Sequence, residues 1–150
     1  MRPVWSLRIA SVLTLIHALL HTVGGVFGGV GPGAQQVAAT AMKTNEFVAM
    51  GVTRSYWDFH MGMGLAVSVL LTMEGVVFWQ LGSLAKTDAL RLRPVLGTFL
   101  CGYLGLAIVS YRYFFSGPVI AEILIALCLV LALAGAKRTA PEGLGRRVAV

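Results

Sequence analysis

The feature that most constrains this chain is a set of four apolar runs, each of about 20 residues or more. They cover roughly residues 6–28, 56–80, 95–115 and 118–136. An α-helix of about 20 residues is long enough to cross the hydrocarbon core of a bilayer. Since backbone polar groups in lipid must be satisfied within the segment, each run is predicted to be a helix. The expected fold class is all-α, an integral membrane four-helix bundle in a single domain over residues 1–150.

The amino-acid composition supports this environment. Hydrophobic residues make up 57% of the chain and charged residues only 12%, whereas a soluble domain carries about 25% charged residues. The formal net charge of +6 would suit a nucleic-acid partner, but the basic residues are scattered at segment ends rather than collected on one polar face. We therefore expect a lipid bilayer, and no nucleic acid, as the partner of these charges.

The polar segments between the runs predict the topology. Residues 31–54 are expected to be an outer loop with a short interfacial helix, and residues 137–150 a polar cytoplasmic tail. With four spans, nine Lys and Arg residues share one side and three share the other. The nine are Arg2, Arg8, Lys86, Arg91, Arg93, Lys137, Arg138, Arg146 and Arg147, and the three are Lys43, Arg54 and Arg112. This imbalance predicts that both termini lie in the cytoplasm.

Ionisable residues at membrane depth single out a candidate site. Charged groups in hydrocarbon are costly, so they usually have partners or a task. The predicted topology brings such groups together in the outer leaflet, as a candidate polar cluster of His17, His21, Arg54, Asp58, His60, Arg112 and Glu122. Arg112 is the expected ion-pair partner of Asp58 or Glu122. Glu74 falls in the inner half of its span, where we expect a paired or neutral group between helices rather than a catalyst.

Simpler interpretations stay open for several of these residues. Arg112, between two tyrosines, would also be able to extend to the lipid headgroups. His60, beside an aromatic belt, would suit an interfacial position without a ligand. Asp58 and Glu122 lie near predicted helix starts, where a carboxylate interacts favourably with the helix dipole.

Three functional hypotheses follow. In the first, the outer-leaflet cluster binds a small lipophilic molecule and polarises or protonates it. In the second, histidines bind a metal or a haem. His17 and His21, one turn apart on one helical face, would bind a metal together with His60 or a carboxylate, and His21 with His60 would suit axial haem ligation. No known metal or haem motif accompanies them, so these are only candidate ligands and the cofactor stays unknown.

In the third hypothesis the protein has no chemistry of its own. It would be a structural or accessory subunit of a membrane complex, and its charges would fix the register of the helices. The sequence leaves open whether the protein catalyses a reaction. It also leaves open a homo-oligomer formed through the glycine-rich helix faces.

Two motifs carry a resemblance to a known family. They are His21–Gly25 (HTVGG) in the first span and Arg54–Leu65 (RSYWDFHMGMGL) at the start of the second. They resemble an uncharacterised family of small four-span bacterial membrane proteins, loosely similar in architecture to the DoxX-like proteins. The resemblance implies a four-helix integral membrane protein and carries no established activity. Tyrosine often stands in that family where this chain has His60. This difference argues against His60 as an essential ligand and favours His21, Arg54 and Asp58 as the important residues of the candidate cluster.

Overall fold

A computed structural model of the protein describes residues 3–136, which are helical apart from one small hairpin and the connecting turns. The elements in chain order are α1 (Pro3–Leu20), a π-helical segment (His21–Val26), α2 (Ala34–Thr44), β1 (Glu46–Ala49), β2 (Val52–Ser55), α3 (Tyr56–Leu84), α4 (Arg93–Tyr113) and α5 (Ser116–Ala136). The predicted all-α class is confirmed. Arg2 and the predicted tail over residues 137–150 lie outside the described residues.

Four of the described helices are long and apolar enough to cross a membrane. They are α1 with its π-helical continuation (24 residues), α3 (29 residues), α4 and α5 (21 residues each). Many of their large apolar side chains are exposed, which gives lipid chains a surface to contact. This arrangement is compatible with a multi-pass membrane protein in contact with a lipid bilayer.

Local sequence explains where the last two helices begin. Pro94 lies in the first turn of α4, where its missing N–H is not needed for a helical hydrogen bond. Only Phe114 and Phe115 separate α4 from α5. Because so short a link requires neighbouring helices to be antiparallel, α4 and α5 pack directly against each other.

The segment between the first two spans contains more structure than the sequence predicted. The expected helix is α2, but part of residues 31–54 also forms an antiparallel β-hairpin, with Phe47 opposite Arg54. Its two-residue turn consists of Met50 and Gly51, with φ of 50° and 83°. Positive φ at both positions is what such a turn requires, and Gly51 is its clearest sequence signal. Strands of four residues are too short for their alternation to be recognised from sequence.

Grouped by their contacts, the described residues form two compact units, and the expected single domain stays a prediction. Residues 3–15 and 74–136 form what we call the α4–α5 unit, and residues 16–73 form the hairpin unit. The core of the α4–α5 unit contains its most deeply buried large side chains, which are Leu7, Phe78, Leu96, Tyr103, Ile125 and Leu129. In the hairpin unit, the Phe47 ring packs against the rings of Tyr56 and Phe59, with centroids 4.8 and 5.0 Å away.

Candidate functional site

The hairpin unit places His17 and His21 one helical turn apart, where α1 changes into the π-helical segment. The wider turn is closed by the N–H of Phe27, which donates to the carbonyl of Thr22 at 3.0 Å. Two adjacent glycines within this segment weaken the regular α-helical preference. Single π-helical turns are rare and occur frequently at functional sites. His21, the first residue of this turn, is therefore a candidate functional residue.

His21 is held against α3 by a hydrogen bond. Its Nε2 lies 3.1 Å from the carbonyl oxygen of Gly64. Because a carbonyl can only accept, Nε2 carries the proton and a neutral ring leaves Nδ1 as an acceptor. Beside it, Thr22 donates to Ser68 at 2.8 Å, and Ser68 donates to the Gly64 carbonyl at 3.1 Å. A Cβ atom on Gly64 would lie only 2.9 Å from Val26 Cγ2, so glycine permits this close approach.

His17 differs from His21 because its ring has no hydrogen-bond partner among the described residues. Its Nδ1 is buried, with no donor or acceptor within reach in that part of the chain. An unpaired polar group in an apolar environment costs about 1–3 kcal/mol. A structural role thus accounts for Nε2 of His21 but not for the buried nitrogen of His17. The two rings, about 6 Å apart along the helix axis, together offer at least two unused nitrogens.

The other candidates of the hairpin unit lie at the start of α3. The N–H of Asp58 donates to Ser55 Oγ at 3.1 Å, and the N–H of Ser55 donates to Asp58 Oδ2 at 2.9 Å. This reciprocal pair is a capping box, so Asp58 serves the helix start. Arg54 is exposed, and within residues 3–136 its side chain donates only to the neighbouring backbone carbonyl of Thr53. His60 is also exposed, with its ring centroid 5.4 Å from that of Trp57.

The α4–α5 unit contains the remaining two candidates. Glu122 is only 4% exposed, and its Oε1 accepts a hydrogen bond from Ser110 Oγ at 2.8 Å. Its Oε2 is buried without a partner among the described residues. The expected ion pair of Arg112 with Glu122 is not formed. Arg112 lies in the last turn of α4, exposed and 5.7 Å from the Tyr113 ring, whereas the carboxylate faces Ser110 on the buried side of α4.

Sequence reasoning missed a deeply buried residue of this unit, Tyr103, which is 1% exposed. Its hydroxyl donates to Glu74 Oε2 at 2.7 Å and lies 3.4 Å from Thr14 Oγ1, so these side chains connect α1, α3 and α4. Glu74 is thus paired between helices, as expected from the sequence. Ser110 was missed as well. Tyr103 and Ser110 are seven residues apart and share one helical face, and this spacing in an apolar run was the available signal.

A metal site requires several ligand side chains that converge on one point. Within residues 3–136, no group of three or more His, Cys, Asp or Glu side chains could hold a metal ion. His17 and His21 provide two nitrogens, whereas zinc sites use three or four protein ligands. The metal and haem hypotheses therefore stay untested predictions without a complete ligand set in this part of the chain.

Comparisons with known proteins add no further assignment. Neither a family model, nor a curated protein, nor a solved structure matches this chain. The resemblance to small four-span bacterial membrane proteins stays a prediction, and function has to be argued from the geometry of these side chains.

Proposed function

We propose that this chain is a multi-pass protein of a bacterial inner membrane, with both termini in the cytoplasm, that binds a small lipophilic molecule at His17 and His21. The observation that carries this proposal is the buried Nδ1 of His17, which has no partner among the described residues and lies one turn from the oriented ring of His21. Ionisable groups within a membrane span usually serve a ligand, an ion or a proton.

The chemistry of the two rings suggests the kind of molecule. With Nε2 of His21 donating to Gly64, its Nδ1 accepts a hydrogen bond, for example from a hydroxyl. His17 adds a second nitrogen that donates or accepts according to its tautomer. The ligand therefore has a head group with a hydroxyl or carbonyl and an apolar body. Leu20 and Val23, 65% and 60% exposed, provide an apolar surface beside the rings for that body.

The same rings are suited to exchange a proton with the head group. Histidine is the side chain whose unperturbed charge change falls nearest to physiological pH. General acid–base catalysis needs such a group within hydrogen-bond reach of the reacting atom. Binding alone requires only the hydrogen bonds, so binding is the core of the proposal.

The test is to identify what the protein carries when it is purified in mild detergent. Bound lipophilic compounds are extracted and quantified by mass spectrometry for the wild type, for His17→Leu and for the matched control His60→Leu, in which the exposed histidine is replaced. We expect one compound near stoichiometry in the wild type and control, and about five- to tenfold less in His17→Leu, the effect of one hydrogen bond. Equal amounts in all three preparations would contradict the proposal.

Elemental analysis of the same preparations separates this proposal from metal binding. Beside the wild type, a His21→Ala variant removes the oriented ring. We expect no iron, zinc or copper near stoichiometry in either protein. A metal that is present in the wild type and lost in His21→Ala would contradict the proposal and would indicate a metal centre at these histidines instead.

A second candidate function is that of an accessory subunit, and the hydrogen bonds of Tyr103 favour it. Tyr103 contacts both Thr14 and Glu74 within the α4–α5 unit, so these side chains can fix the register of three helices without any ligand. An accessory subunit would co-purify with a partner membrane protein and would carry no specific lipophilic compound. The extraction experiment thus distinguishes the two functions.

A further inference from the structure

The α4–α5 unit contains a groove between the first half of α1 and the last turns of α3, with a volume of about 580 Å³. This volume lies within the range of about 300–1,000 Å³ that is typical of small-molecule sites. Two basic side chains, Arg8 and Lys86, line the groove, and no acidic side chain of the described residues does. The rest of the lining is aromatic or aliphatic. The groove is therefore positively charged and apolar at the same time.

Arg8 is fixed in an orientation that leaves one donor group unused. Its guanidinium carbon lies 3.5 Å from the centroid of the Trp79 ring, and its Nη2 donates to Ser83 Oγ at 2.9 Å. Its Nη1 is buried and has no hydrogen-bond partner among the described residues. Within that part of the chain the only ion pair joins Arg91 to Asp88, so no carboxylate neutralises Arg8. A guanidinium held in this way is suited to bind a phosphate oxygen.

We propose that this groove binds one anionic phospholipid, with its phosphate on Arg8 and Lys86 and an acyl chain along Ile9 and Val12. Along α1, Val12 follows Arg8 by one turn, about 6 Å further into the span. The charged and apolar parts of the groove are thus ordered like the headgroup and chains of a lipid. The proposal is independent of the ligand at the histidines, which belong to the hairpin unit.

Two further observations favour a lipid over a soluble phosphate. Trp5 and Trp79 line the groove and are 65% and 50% exposed, and tryptophan is enriched at the depth of the headgroups. A soluble anion would use only the basic end of the groove and would make no use of the aliphatic lining, which an acyl chain can contact. The lipid should be anionic because the positive group of a zwitterionic headgroup would find two cations and no carboxylate in the groove.

Native mass spectrometry of the full chain in detergent micelles tests the proposal by counting bound lipids. The probes are phosphatidylglycerol, phosphatidylcholine with the same acyl chains, and glycerol 3-phosphate as a soluble competitor. The variants are Arg8→Gln, Lys86→Gln and the matched control Arg93→Gln, which removes an exposed arginine outside the groove. We expect one phosphatidylglycerol on the wild type and the control, bound at least about tenfold more weakly by Arg8→Gln. Loss of the more exposed Lys86 charge should weaken binding by roughly fivefold.

Several results would overturn the proposal. Equal phosphatidylglycerol affinity in Arg8→Gln and Arg93→Gln would mean that general charge attraction explains the binding. Equal binding of phosphatidylcholine would remove the requirement for an anionic lipid, and displacement by equimolar glycerol 3-phosphate would indicate a site for a soluble anion. If Arg8→Gln does not fold, as judged by gel filtration, Lys86→Gln decides, and unchanged affinity there would refute the groove.

Discussion

Replacing Tyr103 by phenylalanine removes one hydroxyl and leaves the ring in place. The ring is 1% exposed and lies 6.0 Å from that of Phe78, so the change makes no large cavity. The hydroxyl donates to Glu74 Oε2 at 2.7 Å. In the variant this carboxyl oxygen loses its only hydrogen bond from the described residues. We therefore expect Tyr103→Phe to lower the free energy of unfolding.

The size of this loss follows from the geometry and the environment. A hydrogen bond to a charged group contributes about 1.5–3 kcal/mol in soluble proteins, whereas double-mutant cycles within a membrane protein average about 0.6 and reach about 1.7 kcal/mol. The Glu74 contact is short, but the residue is only partly buried. The contact with Thr14, at 3.4 Å, adds little because Thr14 keeps its bond to the Ala10 carbonyl at 2.9 Å. We expect a loss of about 1 kcal/mol.

Reversible unfolding in mixed detergent micelles, titrated with sodium dodecyl sulfate, measures this change. The matched control is Tyr113→Phe, on the same helix but 76% exposed, which should leave the unfolding free energy unchanged. A double-mutant cycle of Tyr103→Phe with Glu74→Leu should give a coupling energy of about 0.5–1 kcal/mol. If Tyr103→Phe behaves like the control, or if the coupling energy is zero, the hydrogen bond does not stabilise the helices and our reasoning fails.

Two further predictions concern the helix cap and the topology. Ser55→Ala removes the acceptor for the Asp58 N–H and should lower the free energy of unfolding by about 1 kcal/mol in the same assay. Asp58→Asn keeps an acceptor for the Ser55 N–H and should lower it less. The opposite order would argue against the capping box. In a cysteine-free background, a membrane-impermeant maleimide should label Lys43→Cys in spheroplasts and Lys86→Cys only after lysis, and the reverse pattern would refute cytoplasmic termini.

Polar partners illustrate what the sequence predicts well and what it does not. From the sequence, Glu74 was predicted to lie between helices, and a role at the start of a helix was one interpretation of Asp58. Both inferences were possible because they depend only on the position of the residue along one segment. The sequence suggested Arg112 as the ion-pair partner of Asp58 or Glu122, whereas the Glu122 carboxylate accepts from Ser110. Charge complementarity makes the arginine the natural partner, but only the rotation of α4 about its axis decides which side chain faces α5.

Arg8 in the groove shows the same limit of prediction from sequence, because its partner could not be predicted. In the sequence, Arg8 counts only as one positive charge near the start of a span. In the structure its guanidinium stacks on Trp79, 71 positions further along the chain, and its buried Nη1 has no hydrogen-bond partner among the described residues. The sequence contains both residues, yet nothing in either segment indicates that they meet. Their meeting depends on the packing of α1 against α3.

The number, type and approximate extent of the four long helices were determined by the sequence alone. The thickness of a bilayer sets the length of an apolar run, and backbone hydrogen bonding in lipid requires that run to be a helix. Only the tertiary structure decided which faces of those helices meet, and therefore which polar groups pair. In a soluble helix a polar stripe marks the outer face. Here the lipid-facing and protein-facing sides are both apolar, so the sequence carries little information about helix rotation.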